Sequence, residues 1–269
     1  MNDDFIQDNQ VYNLDAITFM ECLYEDYGNE SIEMFFCDFP YTFKGKARVT
    51  ANQWDLPIDD NRFFELALKM LTPTGCIALN ASQPFTSYLV MNHLNYFKYE
   101  WIWEKDNGSN FVHVKHQPFK VHESVLIFGK APTTYNKAEK YMIYNPQFTY
   151  GKPYIMKRDG SDVTNLDGFN GRTDTENLDG KRYPRSIQKF NLERGLHPTQ
   201  KPVSLSEMII KTYTNENDTV VDICCGSGTN AIASIKTNRK FIVNDSDLKY
   251  YDCTINRIEN AQNSISQTI

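Results

Sequence analysis

Short apolar runs alternate along this chain with longer stretches whose apolar positions recur every three to four residues. Val11–Leu14 is the first such run, and Ala16–Tyr24 follows it with a helical pattern. Met34–Cys37 is a compact apolar run that leads straight into Asp38-Phe39-Pro40-Tyr41. Asp59, Asp60 and Asn61 offer caps for a helix whose Phe63, Phe64, Ala67, Leu68 and Leu71 share one face, and Pro73 and Gly75 stop it. Cys76–Leu79, Tyr99–Trp103 and Glu123–Phe128 read as strands, with a helix over Phe85–Leu94. Regular patterning returns at Ser204–Tyr213, a helix, then at the strand Thr219–Ile223, the helix Thr229–Thr237, the strand Lys240–Val243 and a C-terminal helix near Leu248–Gln262. Seven strands interleaved with helices predict an α/β fold with a mainly parallel sheet.

Pro132–Arg194 breaks this rhythm. It carries Gly151, Gly160, Gly168, Gly171 and Gly180 among many Asn and Asp residues, with no sustained period. An irregular stretch of that length inside a compact domain is functional or inserted rather than a plain linker. A chain of 269 residues is one large domain, or one domain with an insertion, and its core needs no disulfides. The six cysteines form no Cys-x-x-Cys frame, which predicts reduced thiols. No apolar run is long enough to span a bilayer, and the acidic start Met1-Asn2-Asp3-Asp4 fits neither a signal nor a transit peptide. The expectation is a cytoplasmic protein without a membrane partner. Net charge is −6, but it is unevenly spread: Lys130–Lys201 holds 13 Lys and Arg against 8 Asp and Glu, a local +5 that leaves −11 on the remainder. A basic segment on an acidic body is compatible with a nucleic-acid partner, and equally with a solvated loop.

Three stretches carry chemistry. In Val220–Asn230 an apolar strand bearing Asp222 runs into Gly226 and Gly228, and then into a helix with Thr229 or Asn230 as its N-cap. Glycines there let a backbone approach a ligand closely. No Gly-Lys-Ser/Thr follows, so this is not a phosphate-binding P-loop. Asp245 ends the next apolar run, Phe241–Val243, where a carboxylate suits the hydroxyls of a ribose. The loop alone leaves a nucleoside-type cofactor and a structural turn both open. Asp38-Phe39-Pro40-Tyr41 ends a buried strand, the side on which open α/β sheets bind ligands. Asp38 and the Phe39 carbonyl could accept the two hydrogens of an amino group on a planar ring, with Pro40 fixing the turn and Tyr41 stacking on the ring. By itself the stretch also reads as a turn with a buried tyrosine. His197-Pro198-Thr199-Gln200-Lys201-Pro202 is an extended approach to the helix at Ser204. Between these, Thr42–Asp55 with Lys44, Lys46 and Arg48 reads as a mobile basic loop. His113, His116 and His122 lack the spacing and partners of a metal site, and no metal is expected.

Taken together, the three stretches resemble the S-adenosylmethionine-dependent DNA amino-methyltransferases of the N6-adenine or N4-cytosine kind. Asp38–Tyr41 is similar to their Asp-Pro-Pro-Tyr motif, Asp222–Thr229 to their Asp-Pro-Phe-x-Gly-Ser-Gly-Thr loop, and Phe241–Asp245 to the acidic strand end after it. Asn13-Leu14-Asp15, Trp103-Glu104-Lys105 and His122-Glu123 through Gly129-Lys130 match in type and order. The resemblance covers most of residues 11–130 and 184–260. Phe39 departs from the motif's first proline, Ile223 and Cys224 from the Pro-Phe of the glycine loop, and Asn244 from an apolar position.

The resemblance implies a Rossmann-like methyltransferase fold with helices on both faces of a seven-stranded sheet, and a circularly permuted motif order. Residues 1–130 would be the catalytic half, 131–194 an inserted target-recognition segment, and 195–269 the cofactor-binding half. It implies S-adenosylmethionine as cofactor, held by Asp15, Thr199, Lys201, Asp222, Cys224, Gly226, Gly228, Thr229 and Asp245. It implies double-stranded DNA as partner, with Lys44, Lys46, Arg48, Arg158, Arg172, Arg182 and Arg185 as candidate contacts, and leaves open a homodimer and a partner restriction nuclease. The target base would be flipped out of the duplex onto Tyr41. Asp at position 38 favours adenine N6, with cytosine N4 as the alternative. A catalytically weak DNA-binding module that keeps the fold, and an unrelated nucleotide-dependent oxidoreductase, also stay open.

Overall fold

The computed structural model describes residues 5–42, 56–108, 110–134, 137–157, 174–196 and 198–266. In chain order the elements are β1 (Gln10–Tyr12), α1 (Ala16–Tyr27), β2 (Ile32–Cys37), α2 (Asp60–Met70), β3 (Leu71–Ala81), α3 (Phe85–Asn92), β4 (Phe97–Glu104) and β5 (His122–Phe128). Four short strands follow, β6 (Thr149–Tyr150), β7 (Tyr154–Met156), β8 (Thr175–Asn177) and β9 (Lys181–Arg182). The chain closes with β10 (Ile187–Lys189), α4 (Val203–Tyr213), β11 (Thr219–Asp222), α5 (Thr229–Lys236), β12 (Lys240–Asn244) and α6 (Leu248–Ser266).

The main sheet has the order β1-β12-β11-β2-β3-β5-β4-β10. Its neighbours run parallel except around β5, which is antiparallel to both β3 and β4. All seven expected strands are in it. The expectation of seven needs a correction to eight, because Ile187–Lys189 adds to the edge beside β4. That strand is short and polar and lacks the apolar signature of a buried one. Leu71 is also reassigned: α2 ends at Met70, and Leu71 opens β3.

Strand side chains alternate between two cores, as the two-residue period requires. Phe35 and Cys37 of β2, Ile77 and Leu79 of β3, and Val221 of β11 face Phe19 of α1, Phe63 of α2 and Leu89 of α3. Met34 and Phe36, Cys76 and Ala78, and Val220 face Ile209 of α4, Ala231 of α5 and Ile258 of α6. Helices on both faces bury the central strands completely, so those strands read as continuous apolar runs.

This arrangement sets where the site lies. From β11 the chain crosses through α5 to β12, toward one edge. From β2 it crosses through α2 to β3, toward the other. β11 and β2 are neighbours, so the strand order reverses between them, and a crevice opens beyond their carboxyl ends. Asp38 and Asp222 stand at those two ends.

Pro146–Arg185 forms a second compact unit. Its described part is two small antiparallel ladders, β6 with β9 and β7 with β8. Arg182 holds the ladders together: its guanidinium donates to the Asn177 side chain at 2.7 Å and the Lys152 carbonyl at 2.6 Å, and lies 4.7 Å from the Tyr154 ring centre. Phe148 meets Tyr183 edge-on at 5.0 Å.

Candidate functional site

The turn after β11 is built by its own backbone. Gly228 is left-handed (φ 74°, ψ 28°) and is itself the cap of α5, ahead of both Thr229 and Asn230, the caps expected from the sequence. Its N–H donates to the Cys225 carbonyl at 2.8 Å, closing the turn. Thr254 of α6 packs under it so closely that a Cβ at position 228 would lie 2.6 Å from its methyl carbon. Asn230, the second residue of α5, donates to the Asp222 carboxylate and the Phe36 carbonyl, each at 2.8 Å. It thereby ties the end of β11 to the end of β2.

Two carboxylates border this turn. Asp222 accepts from the Cys224 N–H at 3.2 Å as well as from Asn230. Burial, opposed by those two donors and reinforced by Asp38 and Asp245, pushes its pKa up to about 8. Asp245 accepts from the Gly226 N–H at 2.8 Å and the Asp247 N–H at 2.9 Å, and burial raises it too. Asn244 sits where an apolar residue was expected. It is fully buried, accepts from the Leu14 N–H and donates to the Leu14 and Ile223 carbonyls, which pins β1, β11 and β12 together beside Asp245.

At the end of β2, Phe39 substitutes packing for the rigidity of a proline: its ring is buried edge-on against Phe63, 4.9 Å between centres. Asp38 and Tyr41 belong to a network that residue order did not reveal. The Tyr41 hydroxyl lies 3.1 Å from Asp38 and 2.9 Å from Glu123. Lys201 donates to Asp38 at 2.5 Å and lies 3.6 Å from Glu123. Lys105 donates to the other Glu123 oxygen and rests 4.7 Å from the Trp103 ring centre. Burial alone would raise Glu123, but Lys201 and Lys105 outweigh it and hold Glu123 below the usual range. Burial would lower Lys201, and Asp38 and Glu123 reverse that. Asp38 is raised by burial, with Lys201 opposing and Glu123 adding. Tyr41 is driven far up by burial and by the same two carboxylates, so it stays a neutral donor. Its ring stacks near that of Phe85, 5.9 Å away and 25° from parallel.

These groups gather at one cleft of about 1360 Å³, whose walls, among the described residues, come from the larger unit. Of the expected cofactor residues, Asp15, Thr199, Lys201, Asp222, Cys224, Gly226, Thr229 and Asp245 border it, and Gly228 shapes its turn. Asp15 also caps α1, accepting from the Ile17 and Thr18 N–H groups. Lys201 is committed to Asp38 rather than standing apart with Thr199. Glu123 and Lys105 were not singled out from the sequence, and Asn230 was read there only as a candidate helix cap. Glu123 and Lys105 stood in stretches noted only for their order. Of the expected DNA contacts, Arg182 is spent inside the small unit and Arg185 is exposed. Lys44, Lys46, Arg48, Arg158 and Arg172 lie outside the described residues, as do His197 and most of the basic loop. Among the described residues no cluster of three His, Cys, Asp or Glu could hold a metal, and no helix is long and apolar enough to cross a membrane.

Among the described residues no basic side chain pairs with Asp222 or Asp245, two buried carboxylates whose proton affinity burial raises, and a ligand that brings positive charge and hydroxyls would suit them. Comparison with known proteins gives the family. Residues 32–257 match the N6/N4 family of DNA methylases. Type II methyltransferase M2.MboI of Moraxella bovis is 25% identical over 266 residues, covering 92% of this chain and 86% of the relative. The solved M1.HpyAVI–SAM complex aligns over 93% of this chain and 98% of its own, with a TM-score of 0.58 and 21% identity. PvuII DNA methyltransferase (cytosine-N4-specific) aligns over 97% and 93%, with a TM-score of 0.62 and 14% identity. Both structures share the fold. The family match spans most of the chain, and the chain therefore belongs to the S-adenosylmethionine-dependent DNA amino-methyltransferases of the N6-adenine/N4-cytosine family.

Proposed function

We propose that the protein methylates the N6 amino group of adenine in duplex DNA, with the base flipped into the cleft. The observation that carries this is the meeting of Asp38–Tyr41 and the Asp222–Thr229 turn on one cleft, at the point where strand order reverses. Asp222, Cys224 and the Gly226–Gly228 turn would hold the methionine end of the cofactor, with Thr199. Asp245 would take the ribose hydroxyls, and Asp15 the adenine amino group. Bound S-adenosylmethionine supplies an electrophilic methyl group on a sulfonium.

The chain's own residues prepare the nucleophile. An exocyclic amine is a poor one because its lone pair is delocalised into the ring. Accepting its two hydrogens at an Asp38 oxygen and the Phe39 carbonyl favours the pyramidal nitrogen of the transition state. Lys201 and the Tyr41 hydroxyl fix the orientation of the Asp38 carboxylate, so little reorganisation accompanies the reaction. The nitrogen sheds a proton after transfer, and Asp38, its proton affinity raised by burial, is placed to take it. The Tyr41 ring, anchored through its hydroxyl, offers a face for the base. Asp at position 38 is what favours adenine over cytosine. The Type II name of the Moraxella relative supports a restriction–modification role, in which methylation shields a site from a partner nuclease.

The test is transfer of labelled methyl to mixed-sequence duplex DNA, followed by mass analysis of the nucleosides. N6-methyladenine that vanishes in Asp38→Ala is the expected result. N4-methylcytosine would replace the base assignment and keep the chemistry, whereas cofactor binding with no methylated product would defeat the enzymatic reading.

A further inference from the structure

Resting on that reading, we propose that Asn110–Val121 is a DNA wedge, whose Phe111 and Val112 enter the base stack beside the target and fill the gap left by the flipped base. The segment joins β4 to β5. It leaves the cleft wall at Asn107 and Gly108, and returns to Glu123 of the Asp38 network. At its base the Lys105 N–H donates to the Val121 carbonyl at 2.8 Å, so both ends are fastened where Lys105 meets Glu123.

The segment has a built shape. The Asn110 side chain bridges its two limbs, donating to the Pro118 carbonyl at 3.0 Å and accepting the Lys120 N–H at 2.7 Å. Phe111–His113 is a 3₁₀ turn, and the His116 N–H bonds back to the His113 carbonyl at 2.8 Å. The Phe119 ring lies on Gly108, where a Cβ would come within 2.5 Å of it. This scaffold holds large apolar side chains out in water: Phe111 is 72% exposed, Val112 66% and Val114 49%. Apolar side chains grouped on a rigid rim, rather than scattered singly, mark an interaction surface.

Charge selects the partner. Between Gly108 and His122 there are two lysines and three histidines with no Asp or Glu, in a chain of net charge −6. His113, Lys115 and His116 are all exposed. The Lys115 ammonium and the imidazole hydrogen-bonding groups of His113 and His116 beside an apolar tip fit phosphates flanking a base step, and apolar side chains inserted between bases are an established way to hold a distorted duplex. A flipped base leaves such a gap at the mouth of the cleft, whose wall includes Asn107, Gly108 and Glu123 on either side of this segment.

The test compares the full-length wild type with the Phe111→Ala/Val112→Ala double variant on a duplex that the wild type methylates, and on the same duplex with the target base mispaired. An aromatic stacking contact predicts a kcat/KM loss of roughly tenfold or more on the paired duplex. On the mispaired duplex, where the base is already loose, the loss shrinks to about threefold or less. Cofactor affinity is unchanged. Wild-type activity of the variant on the paired duplex, or an equal loss on both duplexes, overturns the wedge. So does paired-duplex activity that is intact while sedimentation shows a dimer lost in the variant, which would give the patch to a second copy of the chain. A wild type that methylates no DNA defeats the underlying reading and the wedge with it. A variant that fails only in the comparison defeats the wedge alone.

Discussion

Asp38 is held by groups far away in sequence, and each leaves a signature that can be measured. Lys201 opposes the burial that raises Asp38. In Lys201→Met the Asp38 proton affinity rises further, so the acid limb of the kcat/KM profile moves to higher pH, and turnover near neutrality falls on the order of 10²-fold. Lys201→Arg, which restores the charge, recovers part of it. A Met variant with the wild-type acid limb would show that Lys201 does not tune Asp38. Asp222 gives a second signature. With its pKa at about 8 it is mostly protonated in the empty site at neutral pH. A cationic ligand beside it favours the ionised form, so binding releases a proton below about pH 8, and cofactor Kd falls as pH climbs toward that value. Calorimetry in two buffers of different ionisation enthalpy reads the proton directly. The release should disappear in Asp222→Asn, and a wild type that releases none would remove Asp222 from the binding step.

At the scale of elements, the site depends on two strand ends and the turn between β11 and α5. Gly228→Ala puts a side chain on left-handed backbone and against Thr254. The expected cost is about 1–3 kcal/mol, read as a melting temperature lowered by roughly 2–4 °C per kcal/mol, with weakened cofactor binding because the turn must shift. An unchanged melting point would mean the α6 side gives way freely. The strands that make this site were legible in the sequence because helices cover both sheet faces. Met34–Cys37 and Val220–Val221 therefore had to be apolar, and the acidic residues that follow them directly, Asp38 and Asp222, stood out. β10 was not legible, since an exposed edge of Ile187-Gln188-Lys189 has no buried face to pattern. Asn244 looked like a departure for the same reason that it matters: an apolar position was replaced by three hydrogen bonds among β1, β11 and β12. The pairing of Lys201 with Asp38 spans 163 positions and exists only because the lead-in to α4 passes over the end of β2. Local pattern could mark both stretches and could not join them.

At the scale of the whole molecule, the described part of the cleft and the small ladders belong to units of different make. Among the described residues, those bordering the cleft come from the larger unit, and the Pro146–Arg185 unit has its own ladders and its own pin in Arg182. Of the local charge of +5 over Lys130–Lys201, Pro146–Arg185 carries +1, with 7 Lys and Arg against 6 Asp and Glu, and the flanking residues of the larger unit carry the other +4. Phosphate contacts of that kind position a duplex, while the Asn, Gln and Arg side chains among them can read base edges. If the smaller unit is the reader, replacing Pro146–Arg185 with a flexible Gly-Ser linker should leave cofactor affinity near the wild-type value and the fold intact by circular dichroism. Methylation of the wild-type site should be lost, along with the share of the salt dependence of DNA binding that the unit's 7 Lys and Arg supply, because the slope of log K against log salt counts the phosphates engaged. Loss of cofactor binding in that chain would mean that the larger unit cannot form its cleft alone. Methylation retained at the same sequence would put recognition in the larger unit, where the Asn110–Val121 wedge and the cleft rim would then have to supply it.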